Sequence, residues 1–156
     1  LLRLNGACTI TGDIAGLPRK LTFFGIGGQN TLSGNVASLP SACYHTWVDG
    51  LNTITGKLSD APAPTQYIAI GGANTMAGYT PRAWASTMDM VYMAPAAPGG
   101  LTSAEVDQMF IDLAAYATTW INNKQVWSKP QNAAPTAASQ TARDTLTGRG
   151  VTFLYA

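Results

Sequence analysis

The chain has 156 residues, 46% of them hydrophobic and only 11% charged. That is the length of one domain with enough apolar content to bury a core, and it excludes a disordered segment. Nine lysines and arginines, scattered along the chain, balance eight aspartates and glutamates, so there is no basic stripe of the kind a dedicated nucleic-acid binder needs.

From the N-terminus, Leu2-x-Leu4-x-x-x-Cys8-x-Ile10-x-Gly12 reads as a strand in the register of everything that follows. The opening residues do not read as a signal peptide, and no apolar run reaches the ~20 residues of a membrane-spanning helix. Gly12, Gly34, Gly56, Gly78 and Gly100 lie 22 residues apart, and Asn30, Asn52 and Asn74 keep the same step, with Cys8 one step earlier. Thr9, Thr31, Thr53 and Thr75 follow them, then Ile10, Leu32, Ile54 and Met76, while Pro18, Pro40 and Pro62 form a further column. Independent columns sharing one period mark a repeat architecture. The alternating stretch before each Asn supplies one short strand, and successive strands pair in parallel about 4.8 Å apart. The inward residues are expected to be Leu2, Phe24, Thr46, Ile68 and Met90, with Leu4, Ile26, Val48, Ile70 and Tyr92. Where the chain turns back over an apolar interior its backbone groups need partners, and buried side-chain amides at Asn30, Asn52 and Asn74, with Cys8 in the same column, are expected to supply them as a structural ladder. The recurring glycine permits a tight turn, and the proline starts the segment opposite the sheet.

One unit, Leu21-Thr-Phe-Phe24-Gly-Ile26-Gly-Gly-Gln-Asn30-Thr-Leu32-Ser-Gly34-Asn-Val36-Ala-Ser-Leu39-Pro40, resembles the leucine-rich repeat, with one extra residue before the Asn. Its tail is similar to the N-x-L-S-G-x-I-P subtype. The resemblance covers residues 1–100 and implies an α/β repeat fold: a right-handed leucine-rich-repeat solenoid of 22-residue units with a parallel β-sheet on its concave face. Residues 101–156 are then the C-terminal cap of one continuous domain. The first strand has no capping unit before it, so preceding residues or another chain are expected to cover that edge.

Past Gly100 the period stops. Residues 101–116 read as a helix with Thr102 or Ser103 as N-cap and an apolar stripe of Val106, Met109, Phe110, Leu113 and Tyr116. Lys124 to Lys129 reads as a strand with Val126 inward, Pro135 to Leu146 as a last helix closed by Gly148 and Gly150, and Val151 to Tyr155 as an edge strand. Trp84 stands where other units carry proline and is expected to pack on the cap. The stretch Thr136 to Thr152 resembles the endings of bacterial surface and tailed-phage virion proteins with leucine-rich repeats, which implies a virion or cell-surface location.

The register also predicts the outward columns of the sheet: Phe23, His45, Tyr67, Asp89 and Gln125; Arg3, Gly25, Trp47, Ala69, Val91 and Trp127; Asn5, Gly27, Asp49, Gly71 and Met93. Phe23, His45, Trp47, Tyr67 and Trp127 form an aromatic strip, with Asp49 and Asp89 as hydroxyl acceptors, and these seven are the candidate ligand-binding residues for a protein or a surface glycan. The bland alternative is that the rings fill the groove by packing on one another or on another copy. No catalytic residue is assigned: His45 has no serine beside it, and Asp49 stands about 13 Å along the same strand. No cofactor is expected and no metal, since there is one histidine, the cysteines lack CxxC spacing, and no calcium-binding loop occurs. Cys8 and Cys43, in different columns, are expected to be buried thiols; Cys43 shares its column with Leu21, Thr65 and Thr87. The role expected is a non-enzymatic recognition module of a phage virion fibre or bacterial surface. The alternative is a structural subunit in which this face and the N-terminal edge are buried between copies.

Overall fold

The computed structural model describes residues 1–6, 9–129 and 131–155. Each repeat lays down one strand where its side chains alternate between core and surface. The strands β1 (Leu2–Leu4), β3 (Phe23–Ile26), β5 (His45–Val48), β7 (Tyr67–Ile70), β8 (Thr87–Met93), β9 (Thr119–Ser128) and β10 (Thr152–Tyr155) make one seven-stranded sheet in that order. Every pairing in it is parallel. A second parallel sheet, unforeseen from the sequence, joins β2 (Thr11–Asp13), β4 (Thr31–Asn35) and β6 (Thr53–Thr55). Two α-helices, α1 (Ser103–Tyr116) and α2 (Gln140–Gly148), complete an α/β fold with four short 3-10 turns among the described residues.

Behind the second sheet, 3-10 turns over Ile14–Gly16, Val36–Ser38 and Leu58–Asp60 bury one apolar side chain each. Asp13 and Asn35 open the first two by accepting from the amides of Ala15 and Ala37, at 2.7 and 2.9 Å. The prolines follow these turns instead of starting them; the carbonyls of Pro18, Pro40 and Pro62 accept from the amides of Leu21, Cys43 and Thr65. The core lies between the large sheet and this second layer, where Phe24, Ile26, Val48, Ile68 and Ile70 meet Leu32, Ile54, Ile14, Val36 and Leu58. Fully burying such a side chain is worth about 1.5–3 kcal/mol relative to exposure.

Two columns hold the units in register. Asn30 accepts from the amide of Ile10 at 3.0 Å and donates to the carbonyl of Gly27 at 2.6 Å. Asn52 accepts from Leu32 at 2.9 Å and donates to Asp49 at 2.6 Å. Asn74 accepts from Ile54 at 2.7 Å and donates to the carbonyl of Gly71. Each amide thus joins the backbone of its own unit to that of the unit before it. Cys8 falls outside the described residues. Asn132, four residues past the end of β9, adds a member absent from the sequence reading: it accepts from Leu101 and donates to Met93 and Lys129. The second column is glycine. At Gly50, with φ of +73°, an added Cβ would lie 2.2 Å from the carbonyl oxygen of Gly28, so no side chain fits where consecutive corners stack.

The predicted register fails by one residue at β8. Tyr67 aligns with Met90 and Ile68 with Val91, a spacing of 23 where earlier strands keep 22. Val91 and Met93 are therefore buried, while Met90 and Tyr92, expected inside, lie half-exposed on the outer face. For the same reason Met88, not Thr87, continues the buried column of Leu21, Cys43 and Thr65. The cause is the segment between Gly78 and β8, which abandons the 3-10 turn to dock α1. Tyr79 donates its hydroxyl to Asp112 at 2.8 Å, the Arg82 amide donates to the same carboxylate at 2.8 Å, and Trp84 donates its indole N–H to the Tyr79 oxygen at 2.9 Å. Burial, reinforced by the bond to Asp112, pushes the Tyr79 phenol far up from its usual range.

In the C-terminal part, Thr102 caps α1 in a reciprocal pair with Glu105. Val106, Met109, Phe110 and Leu113 are buried, whereas Tyr116, assigned to the same stripe, is 47% exposed because it lies in the helix's last turn. The last helix differs from the expected Pro135–Leu146: Thr136 caps a 3-10 turn over Ala137–Ser139, and α2 runs on through Gly148. Asp107 of α1 ties the two helices together, accepting from the Thr136 amide and hydroxyl and from Ser139, with Arg143 at 3.9 Å. Burial opposes its charge, but those bonds and Arg143 outweigh it and hold the carboxyl below its usual range.

Candidate functional site

The outward side chains of the seven-stranded sheet fall into rows that cross the strands, because a parallel ladder places equivalent residues side by side. In the first row the ring of His45 lies between those of Phe23 and Tyr67, with centroids 4.0 Å apart on both sides and interplanar angles of 14° and 5°. The stack covers both faces of His45 and one face each of Phe23 and Tyr67. The row continues through Met90 and Gln125, which pair in register with Tyr67 and with each other. The His45 ring makes no hydrogen bond to any described residue. Burial lowers its pKa from 6.5, the charge of Asp89 opposes this, and that of Arg3 adds to it. Burial likewise raises the Tyr67 phenol, with Asp89 acting in the same direction.

The second row is Arg3, Gly25, Trp47, Ala69, Tyr92, Trp127 and Leu154. Glycines of the adjoining column, Gly27 and Gly71, decide where its large members lie. A Cβ on Gly27 would stand 2.7 Å from Cη2 of Trp47, so the indole of β5 rests over β3 where glycine leaves the space. Gly71 likewise makes room for the Asp49 carboxylate and the Tyr92 ring, whose nearest atoms would be 3.2 and 3.4 Å from an added Cβ. Tyr92 and Trp127 meet at 5.7 Å with planes inclined by 54°, and the Lys129 ammonium lies 5.3 Å from the Trp127 ring centre.

Two adjoining cavities follow. One, of about 370 Å³, is lined by Arg3, Phe23, His45, Trp47 and Tyr67. The other, of about 180 Å³, is lined by Trp47, Asp49, Tyr67, Ala69, Met90, Tyr92 and Trp127. Trp47 and Tyr67 belong to both, so the two form one groove across the strands. The chain matches no protein-family model, no curated protein and no solved structure.

Six of the seven sequence-assigned residues thus line the groove: Phe23, His45, Trp47, Asp49, Tyr67 and Trp127. Asp89 does not. The one-residue slip takes it off the outer rows and leaves it 9% exposed. There its carboxylate accepts from the Asn123 amide at 2.9 Å, from Asn123 Nδ2 at 2.7 Å and from Asn122 Nδ2 at 3.2 Å. These bonds hold a bulge: Met88 pairs with Trp120 and Met90 with Gln125, so Ile121–Lys124 stand opposite Asp89 alone. Asn122 and Lys124 reach left-handed φ values of 46° and 49°, a conformation that Asn tolerates better than most residues. Asp89 is a buttress of the groove's neighbour, not a ligand-facing acceptor. Tyr92 and Met90 are the groove residues that the uniform period concealed, and with alanine at both possible asparagine positions after β8, 96 and 97, the ladder carried no signal of the shift.

Proposed function

We propose that this chain is a non-enzymatic recognition module built as a leucine-rich-repeat solenoid. In this reading residues 1–100 are the repeats, residues 101–156 the cap, and the seven-stranded sheet the concave face. The 22-residue columns, the amide ladder and the parallel strand order support the family reading. One observation carries the functional one: half-buried aromatic side chains gather into a continuous groove on the outer face of the sheet. Aromatic side chains supply contact area at small entropic cost, and such patches mark binding surfaces. Among the described residues no side chain hydrogen-bonds the His45 ring to orient it for proton transfer, and the Asp89 carboxylate is committed to the bulge. A module of a phage virion fibre or bacterial surface protein suits the resemblance of the chain's last segment.

The test is a binding screen against immobilised proteins and glycans with the wild type and a Trp47→Ala/Tyr67→Ala variant. Specific ligands are expected to lose at least about 100-fold in affinity, as central aromatic anchors commonly do. Retained binding in the variant would sink the reading. A sedimentation profile shifted by the same substitutions, with no ligand lost, would favour assembly between copies instead.

A further inference from the structure

The two halves of the groove differ in chemistry. In the first, the His45 ring is sandwiched between Phe23 and Tyr67 and offers only its edge, and Arg3 supplies a positive charge. A sugar needs an open ring face to stack on, and the central ring of this row, His45, has neither face open. The second half is a notch. Ala69 stands between Trp47 and Tyr92 in its row and leaves a gap surrounded by Trp47, Tyr67, Tyr92, Trp127 and Met90, with Asp49 at one side. The Asp49 carboxylate accepts from the Gly50 amide at 2.7 Å, and among the described residues no lysine or arginine pairs with it. Aromatic faces attract a cation within about 6 Å of their centres, and an unpaired carboxylate beside them adds to that attraction. One ring of the group already has an ammonium near it, that of Lys129 over Trp127.

We propose that the notch over Ala69 receives the cationic side chain of an arginine or lysine on a partner protein. This rests on the groove being the recognition face. From Arg3 on β1 to Trp127 on β9 the groove crosses five strand spacings, about 24 Å, the length of roughly seven extended residues. Arg3 and Asp49 have α-carbons about 12 Å apart by the same geometry. The surface is thus matched to an extended segment with a basic residue at the notch and an acidic one three or four positions away.

The experiment uses the whole chain and follows the indole N–H signals of Trp47 and Trp127 by NMR. The probes are N-acetyl-arginine amide, its neutral isostere N-acetyl-citrulline amide, and methyl glucoside. The arginine probe is expected to bind saturably and the citrulline probe about tenfold more weakly. Asp49→Asn keeps an acceptor for the Gly50 amide and is expected to weaken the arginine probe about fivefold or more, with the signal of buried Trp120 unmoved. No saturable shift by the arginine probe, equal binding of citrulline, an unaffected Asp49→Asn variant, or preference for the glucoside would each overturn the proposal. The two readings fail separately. A partner lost in Trp47→Ala/Tyr67→Ala but unaffected by Asp49→Asn removes the cation from the notch and leaves the recognition face standing. A partner retained by the aromatic variant removes the face itself.

Discussion

Replacing Asn52 by alanine isolates what the amide ladder contributes. The side chain is fully buried and bridges two units, accepting from Leu32 N at 2.9 Å and donating to Asp49 O at 2.6 Å. Alanine leaves the Leu32 amide without a partner inside the core, at about 1–3 kcal/mol, and orphans the less buried Asp49 carbonyl at the lower end of that range. The sum is about 3 kcal/mol, a large share of the ~5–15 kcal/mol by which a domain is stable. It corresponds to a fall in melting temperature of about 6–12 °C for a chain of this size. Urea unfolding followed by circular dichroism reads it as a lowered midpoint with an unchanged slope. Asn35→Ala is the matched control. Its side chain caps an exposed 3-10 turn through one bond to Ala37 N, worth about 1 kcal/mol. If the Asn52 variant lost no more than the control, the ladder would not be holding the units together and the argument from period to fold would fail.

Two further outcomes can be measured on the same protein. His45, the one histidine of the chain, is expected to titrate below its ordinary 6.5 because burial disfavours the cation. The unfolded chain then takes up the proton first, so the ring's contribution to stability is full above pH 6.5 and is lost as the pH falls through the folded value. An NMR midpoint at or above 6.5 would refute this. Thr65 is fully buried, and its hydroxyl has no hydrogen-bond partner among the described residues. Thr65→Val removes that unsatisfied group at constant shape and is expected to stabilise by about 1 kcal/mol in urea unfolding; a loss of stability would show that the hydroxyl finds a partner.

The amino-acid sequence made the early units legible because each of their columns answers to one physical need. Asn30, Asn52 and Asn74 satisfy backbone groups, Gly34 and Gly56 take left-handed turns at φ of 127° and 100°, and the alternation in Phe23–Ile26 or His45–Val48 divides core from surface. The second sheet was not legible: Thr31–Asn35 and Thr53–Thr55 carry one apolar side chain each, Leu32 and Ile54, too few for alternation to register as strands. The slip at β8 was hidden by a compensation. Gly78 and Gly100 keep the 22-residue step, but the extra residue before β8 is offset by one fewer between Met93 and Gly100 than between Ile70 and Gly78. The glycine column therefore stayed in phase while the strand between its members moved. The asparagine that would have fixed the frame is missing, since Ala96 and Ala97 stand four residues after Tyr92 and Met93 where asparagine follows Ile26, Val48 and Ile70. Asp89 was misassigned for this reason alone, since a shift of one residue exchanges the two faces of a strand.

The same slip builds the notch. In an unbroken period, Val91 would face outward beside Ala69, and Tyr92 would enter the core in line with Ile70. The added residue turns Tyr92 out between Ala69 and Trp127, so the gap left by Ala69 gains a polar-tipped aromatic wall in place of a valine. It also withdraws Asp89 from the first row, which leaves Asp49 as the carboxylate lining the notch. The residue that displaces the strand comes from the segment in which Tyr79, Arg82 and Trp84 fasten α1 through Asp112. Docking of the C-terminal helix on one side of the sheet and the make-up of the groove on the other are therefore consequences of one local departure from the repeat. Restoring the period by deleting a residue from that segment would have to disturb both together.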